Sequence, residues 1–110
     1  MAKFLTIGYG DEAGYERTAP AVRDEAHAHD ERLREAGASG GIAGTPVQVR
    51  NHDAAGVTVR SGAFMSAALP VAGFAIIEAA TLEEAVELAA QTPCAVAQGV
   101  VEVWPLRDQP

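Results

Sequence analysis

Two segments of helical periodicity, each lying between strand-like runs, restrict what this sequence can fold into more than any other feature. In residues 20–36, apolar side chains recur every three or four positions with charged residues between them, which predicts an amphipathic helix with one narrow apolar stripe. Pro20 suits the first turn of this helix, and Gly37 suits the left-handed position after its end. A helix with a single apolar face has to bury that face against another layer of structure.

The second helix begins at Thr81, where Glu84 three residues later completes a capping-box pattern. Leu82, Ala85, Val86 and Ala89 make its apolar stripe, and Pro93 closes it. The sequence therefore predicts two one-sided helices, far apart in the chain, that pack on the same kind of surface.

The remaining elements follow from period-two alternation and from turn residues. They are a first strand, a glycine-rich irregular strand, a hairpin, an irregular segment, a central strand that is apolar on both faces, and a last strand before a polar tail. Their ranges are 3–9, 38–46, 47–59, 61–72, 73–79 and 100–104. Residues 10–19 are predicted to form a loop.

The order strand, helix, strand, strand, loop, strand, helix, strand predicts an α+β fold in one domain spanning residues 1–110. We expect a ferredoxin-like antiparallel sheet with two helices on one face. The other face then needs a different cover wherever it is apolar. With only three Phe, two Tyr and one Trp, the core is also short of large side chains. Both points favour a homodimer in which two copies pack sheet to sheet.

Charge and hydropathy exclude several classes of partner. The net charge is −7, and the eight Lys and Arg residues are scattered, which argues against binding nucleic acid or an anionic membrane surface. No apolar run approaches the ~20 residues that span a bilayer, and the first residues do not read as a signal peptide. A cytoplasmic location follows by elimination. The single cysteine, Cys94, excludes a disulfide within the chain.

Five motifs in this order along nearly the whole chain resemble the YCII-related family, whose name-giving motif is Asp-Gly-Pro-Phe. They are Tyr9-Gly10-Asp11-Glu12, Leu33 to Gly37, Gly73 to Glu78, Thr81 to Ala90 and Val101 to Pro105. The resemblance implies a dimeric α+β barrel built from two ferredoxin-like subunits. It also implies, for some members, a histidine–aspartate pair in a cleft beside the sheet, and for others an association with extracytoplasmic-function sigma factors.

The sequence departs from this family at the motif that names it. Asp-Gly-Pro-Phe falls on residues 61–64, where the aspartate is replaced by Ser61 and the proline by Ala63. A serine cannot carry the negative charge that would orient a histidine or accept a proton at neutral pH. The resemblance places the family's first-helix histidine or aromatic residue at or near Ala26, close to His27 and His29, and the spacing does not decide between these two.

Three residues are candidates for acid–base chemistry: His29, His27 and Asp11. His29 lies on the apolar stripe and points toward the sheet, as either a cleft acid–base or a core histidine with one backbone hydrogen bond. His27 lies beyond the edge of the stripe, where solvent reaches it. Asp11 follows the first strand and could replace the lost acid.

Four further residues are candidates for ligand binding, namely Tyr9, Ser61, Phe64 and Ser66. We predict no metal site, because His27 and His29 are two apart and diverge on a helix, and His52 lies in a turn. No cofactor-binding motif is present either: the glycines of residues 40–44 lack the strand-to-helix context and the lysine of a phosphate loop.

Three functional hypotheses remain, and whether the protein is an enzyme stays open. The first is a small-molecule binding protein with a cleft beside the sheet, favoured by the loss of the acid at Ser61. The second is a histidine-dependent enzyme of lyase or hydrolase type. The third is a protein-interaction module linked to sigma-factor regulation. A histidine hydrogen-bonded to a carboxylate in the cleft would separate the second from the first.

Overall fold

The strands and the two long helices follow one another in the predicted order, and two short helices are added. The computed structural model describes residues 1–107, and the end of the predicted polar tail, residues 108–110, lies outside the described residues. In chain order the strands β1 to β6 are Ala2–Tyr9, Ser39–Ile42, Val47–Arg50, Thr58–Ser61, Val71–Ala79 and Val100–Pro105. The helices α1 to α4 are Glu12–Glu16, Pro20–Glu35, Leu82–Ala90 and Pro93–Val96.

Four of the strands form one antiparallel sheet in the order β2-β5-β1-β6. Strand β1 lies inside, paired with β5 on one side and β6 on the other. Helix α2 connects β1 to β2, and α3 connects β5 to β6, so each helix crosses over between two strands that run parallel with one strand between them. This is the ferredoxin-like arrangement of two split βαβ units, and the predicted α+β fold class is confirmed.

The helices cover one face of the sheet. Because side chains alternate along a strand and paired residues share a face, Phe4, Thr6 and Gly8 of β1 lie on the same side as Ile77. Phe4 and Ile77 form the buried core with Ala79 and with Ala85 of α3, and the partly buried residues around them are Ala38, Leu88 and Val103. The core is as poor in large side chains as the composition indicates.

The opposite face carries the larger side chains, and we call it the open face. It comprises Leu5, Ile7, Tyr9, Phe74, Ile76, Glu78, Val100, Glu102 and Trp104, all assigned from the strand register. Ile7 and Tyr9 are buried among their neighbours, but Phe74 is 42% exposed and Trp104 is 52% exposed. The core contacts of α3 and the approach of Cys94 of α4 to Gly8 are on the opposite side of the sheet.

Both predicted helix signals are confirmed in atomic detail. Gly37 has a φ of 111° after α2, and the amide of Ala38 donates to the carbonyl of Leu33 at 2.9 Å, which is the hydrogen bond of a Schellman cap. At the start of α3 the Thr81 hydroxyl accepts from the Glu84 amide at 3.1 Å, and the Glu84 carboxylate accepts from the Ala80 amide at 3.4 Å.

Two local expectations were wrong. Residues 10–19 are not only a loop, because Asp11 caps the short helix α1 by accepting from the Gly14 amide at 2.9 Å. Pro93 does not simply follow the second helix, because it opens α4 at the first helical position, where a missing N–H costs nothing.

The hairpin is the largest departure from the expected sheet. Strands β3 and β4 pair only with each other and form a separate two-stranded sheet. We call residues 47–61 the hairpin arm. The radius of gyration is 15.9 Å, compared with about 13 Å for a compact chain of this length, and the longest dimension is 52 Å. The glycine-rich segment before the arm supplies β2, a regular edge strand.

Replacing Thr81 with Ala tests how much the cap of α3 contributes to the fold. We expect a loss of about 1 kcal/mol in the free energy of unfolding, because the Glu84 amide loses its acceptor. Thr81→Ser keeps the hydroxyl and should cost less than half as much. Urea unfolding followed by circular dichroism measures both, and equal losses in the two variants would contradict this account of the cap.

Candidate functional site

A cavity of about 490 Å³ lies between α2, the helix-covered face of the sheet and the start of α4. We call it the helix-side cavity. Its sheet side is lined by small residues, including Thr6, Gly8, Gly73 and Ala75. Protein interiors are otherwise close-packed. The cavity therefore exists because this end of the sheet presents glycine and alanine where the other end presents Phe4 and Ile77.

Cys94 of α4 lines one end of the cavity, directly above Gly8 of β1. A Cβ atom added at Gly8 would lie only 2.8 Å from the Cys94 Sγ atom, so the close approach of helix and strand requires glycine there. Burial raises the pKa of the Cys94 thiol, and the negative charge of Asp30 raises it further. A thiol with a raised pKa holds little thiolate at neutral pH and is a poor nucleophile.

The rim of the cavity on the α2 side is polar and carries His27, Asp30 and Arg34. The Asp30 carboxylate accepts a hydrogen bond from Arg34 at 2.7 Å, and Glu31 accepts a second one at the same distance. The hydrogen bond to Glu31 is the largest cause of the raised pKa of Arg34, and the hydrogen bond to Asp30 raises it further. Because Arg34 is occupied by two carboxylates, the rim presents no free cation to a ligand.

His27 is paired with Tyr15 of α1, not with a carboxylate. Its Nε2 atom lies 2.9 Å from the Tyr15 hydroxyl, and the Arg23 guanidinium lies 4.6 Å from the centre of the Tyr15 ring. These side chains are on the surface at the mouth of the cavity. The hydrogen bond to the Tyr15 hydroxyl holds the imidazole in place.

His29 lies in a different place from His27. It is buried between α2 and α3, and its Nε2 atom lies 2.8 Å from the carbonyl oxygen of Leu88, where it donates a hydrogen bond. Asp11 is used as the cap of α1. The structure therefore does not bring His29, His27 and Asp11 together, and no histidine forms an ion pair with a carboxylate within residues 1–107.

Three of the four predicted ligand-binding residues meet on the other side of the molecule. Tyr9, Phe64 and Ser66 line a groove of about 1010 Å³ between the hairpin arm, residues 62–71 and the end of the sheet. We call it the hairpin groove. It is more open than the helix-side cavity, and Phe64 is 80% exposed. The fourth residue, Ser61, lies on β4 opposite Val47.

The polar contacts at the groove are few. The Tyr9 hydroxyl donates to Glu102 at 2.7 Å, and this hydrogen bond, together with burial and the carboxylate charge, raises the pKa of Tyr9. The Arg50 guanidinium lies 5.8 Å from the centre of the Phe64 ring. Gly62 has a φ of 100° and donates its amide to the Pro46 carbonyl at 3.0 Å, which explains a glycine at this turn.

Sequence reasoning missed the residues that build the helix-side cavity. Tyr15 lies in residues 10–19, which the sequence predicts to be a loop, so its contact with His27 was not predicted. Asp30 could have been found, because it lies three residues after His27 and so shares its side of the helix. The small residues Gly8, Gly73 and Ala75 indicate the cavity in the sequence, because they come from neighbouring strands and share one face of the sheet.

The sequence matches the model of the YCII-related domain over residues 2–109. No curated protein matches the chain. In the described residues no helix is long and apolar enough to cross a bilayer, and within residues 1–107 no three His, Cys, Asp or Glu side chains come close enough to hold a metal ion.

The two α2 histidines should respond differently to truncation. His29→Ala should lower the free energy of unfolding by about 2–3 kcal/mol, because it leaves a cavity and removes the partner of the Leu88 carbonyl. His27→Ala, at the surface, should change it by less than about 0.5 kcal/mol. Urea unfolding of both variants measures this. A loss for His27→Ala as large as that for His29→Ala would show that the placement of the two side chains is wrong.

Proposed function

The chain belongs to the YCII-related domain family, and from that premise we propose that it binds a small, mostly apolar molecule in the helix-side cavity and acts as a homodimer. The observation that carries the proposal is the cavity itself. Its volume of about 490 Å³ lies within the range of roughly 300–1,000 Å³ that is usual for small-molecule sites.

The lining of the cavity indicates the kind of ligand. Its inner wall is glycine, alanine and threonine, and the Thr6 hydroxyl already donates to the Ala75 carbonyl at 3.3 Å. The polar groups that remain for a ligand lie at the rim, where His27 is exposed to solvent. A compact apolar body with one polar group at its outer end matches this distribution, because the buried part of a ligand must not be left with unpaired polar atoms.

Acid–base chemistry has less support. A histidine that works as a general base is usually oriented by a carboxylate or another acceptor. His29 is committed to the Leu88 carbonyl, and Asp11 is committed to the cap of α1. The family aspartate is Ser61 here, and it lies on the hairpin arm. Binding without chemistry therefore accounts for more of the residues than a histidine–aspartate mechanism does.

A histidine-dependent enzyme remains the second candidate because of one observation, the pairing of His27 with Tyr15 at the mouth of the cavity. If the tyrosine hydroxyl donates to Nε2, the imidazole is held as the tautomer with its proton on Nδ1. A reaction of this kind would lose at least about tenfold in rate in His27→Gln. A rate unchanged in that variant would remove the second candidate.

The open face supports the homodimer. Trp104 and Phe74 expose about half of their surface on it, next to Leu5 and Ile76. Large exposed aromatic groups on one sheet face favour association, since they offer much apolar area at little entropic cost. The Glu102 carboxylate on the same face is already hydrogen-bonded to Tyr9, which lowers the cost of covering it.

Protection of Cys94 from alkylation reports on occupancy of the cavity. We expect apolar fragments that bind here to slow iodoacetamide labelling of the single cysteine, measured by mass spectrometry, since its thiol lines the cavity. Ala75→Leu fills part of the cavity and should weaken binding at least tenfold. Ala28→Leu, on the exposed side of α2, is the control. Equal binding by the two variants would contradict the proposed site.

The association state tests the second part of the proposal. Light scattering at micromolar concentration should report twice the chain mass of 11.4 kDa. Trp104→Glu puts a charge on the open face and should give a folded monomer. Val86→Glu adds the same charge to an exposed position on α3 and should leave the dimer intact. A monomeric parent protein, or a Trp104→Glu variant that stays dimeric, would count against sheet-to-sheet packing.

A further inference from the structure

The hairpin arm has one apolar face without a cover in its own chain. The register of β3 and β4 places Val49 opposite Val59 and Val47 opposite Ser61, so these side chains share a face, and Val57 continues it. The four valines are between 59 and 64% exposed. The opposite face carries Gln48, Arg50, Thr58 and Arg60. The arm is thus amphipathic, with its apolar side in solvent.

Such an arm needs packing from elsewhere. A lone two-stranded hairpin is marginally stable in water, and burial of one face is what usually stabilises it. Beside the arm, Ile42 is 95% exposed and Phe64 is 80% exposed. Taking about 200 Å² for a whole aromatic side chain, the exposed parts of Phe64, Phe74 and Trp104 amount to roughly 350 Å². The valines add to an apolar surface already as large as the largest patch of a typical monomer.

The arm and the open face form one surface. Val47 and Val49 of the arm line the hairpin groove together with Tyr9 and Phe74 of the open face. A partner that covers the open face is therefore brought up against the groove and the arm beside it. This continuity favours a partner that uses both regions at once.

Charge favours the same chain as that partner. The arm carries two arginines and one aspartate, a net charge of +1, whereas the rest of the chain carries the other six basic and fourteen acidic residues, a net charge of −8. A basic arm on an acidic body is complementary to a second copy of the same body, and in a two-fold dimer the contact forms twice.

We propose that the hairpin arm clasps a second copy of this chain. Its valine face packs on the partner, and the partner supplies the missing wall of the hairpin groove, which is incomplete in one chain. Arg50 and Arg60, on the polar face of the arm, lie beside this contact, with Arg50 near the Phe64 ring at the groove, and their charge is close to the acidic body of the partner. This inference rests on the homodimer of the proposed function and adds the element that holds it together.

A photo-crosslink tests the contact directly in the folded protein. Benzoylphenylalanine is placed at Val59, on the apolar face, or at Thr58, on the polar face of the same strand, in an equal mixture of ¹⁴N- and ¹⁵N-labelled chains. We expect mixed-isotope crosslinks from position 59 at least fivefold more often than from position 58. Crosslinks from position 59 that join only residues of one chain would overturn the inference.

The second measurement is the dissociation constant of the dimer by analytical ultracentrifugation. Val57→Asn with Val59→Asn should raise it at least tenfold, since each change occurs twice in the dimer. Thr58→Asn with Arg60→Lys alters the other face of the same strand, keeps the charge of the arm and should change the dissociation constant less than threefold. Equal effects of the two pairs would overturn the clasp.

The outcomes also separate this inference from the proposed function. A dimer that is lost in Trp104→Glu but unaffected by the arm variants, with no interchain crosslink from position 59, overturns the clasp alone. A dimer that depends on the arm and not on Trp104 overturns sheet-to-sheet packing and leaves the clasp standing. A parent protein that is monomeric overturns both.

Discussion

The structure depends on a difference in side-chain size between the two faces of one sheet. Neighbouring residues in a strand point to opposite faces. At the end of the sheet that lines the cavity, the pairs Ile7 and Gly8, and Gly73 and Phe74, give the small member to the helix side and the large member to the open face. The glycines let α4 approach until Cys94 contacts β1. The glycines also leave the space under α2 unfilled. The large residues leave apolar surface exposed on the open face, which another layer of structure has to cover.

The cavity and the open face are therefore two results of one sequence pattern. On the helix side, the missing side-chain volume creates room for a ligand, and the polar groups at the rim are mostly paired already, with Arg34 held by Asp30 and Glu31. On the other side, Trp104 and Phe74 provide apolar area for association. The chain belongs to the YCII-related domain family, and our proposal of binding depends on the cavity and its lining.

Much of the fold could be predicted from local signals that tertiary structure did not override. The helix caps at Gly37 and Thr81 depend on single residues, and the apolar stripe placed His29 inside and His27 outside. That the hairpin arm forms a sheet of its own could not be predicted. Apolar and polar residues alternate over residues 47–59 in the same way whether a hairpin pairs with the main sheet or only with itself. The pairing of His27 with Tyr15 was also hidden, since a five-residue helix such as α1 has too little periodicity to detect.

Quenching of the single tryptophan by acrylamide, followed as the protein is diluted, tests the central claim most directly, because Trp104 lies on the open face and is half exposed in one chain. If large residues on this face are covered by a second copy, Trp104 should be shielded at micromolar concentration and should become accessible at least several-fold as the dimer dissociates. Quenching that stays strong and constant over the whole range would show that the open face meets water, and the account of its large residues would be wrong.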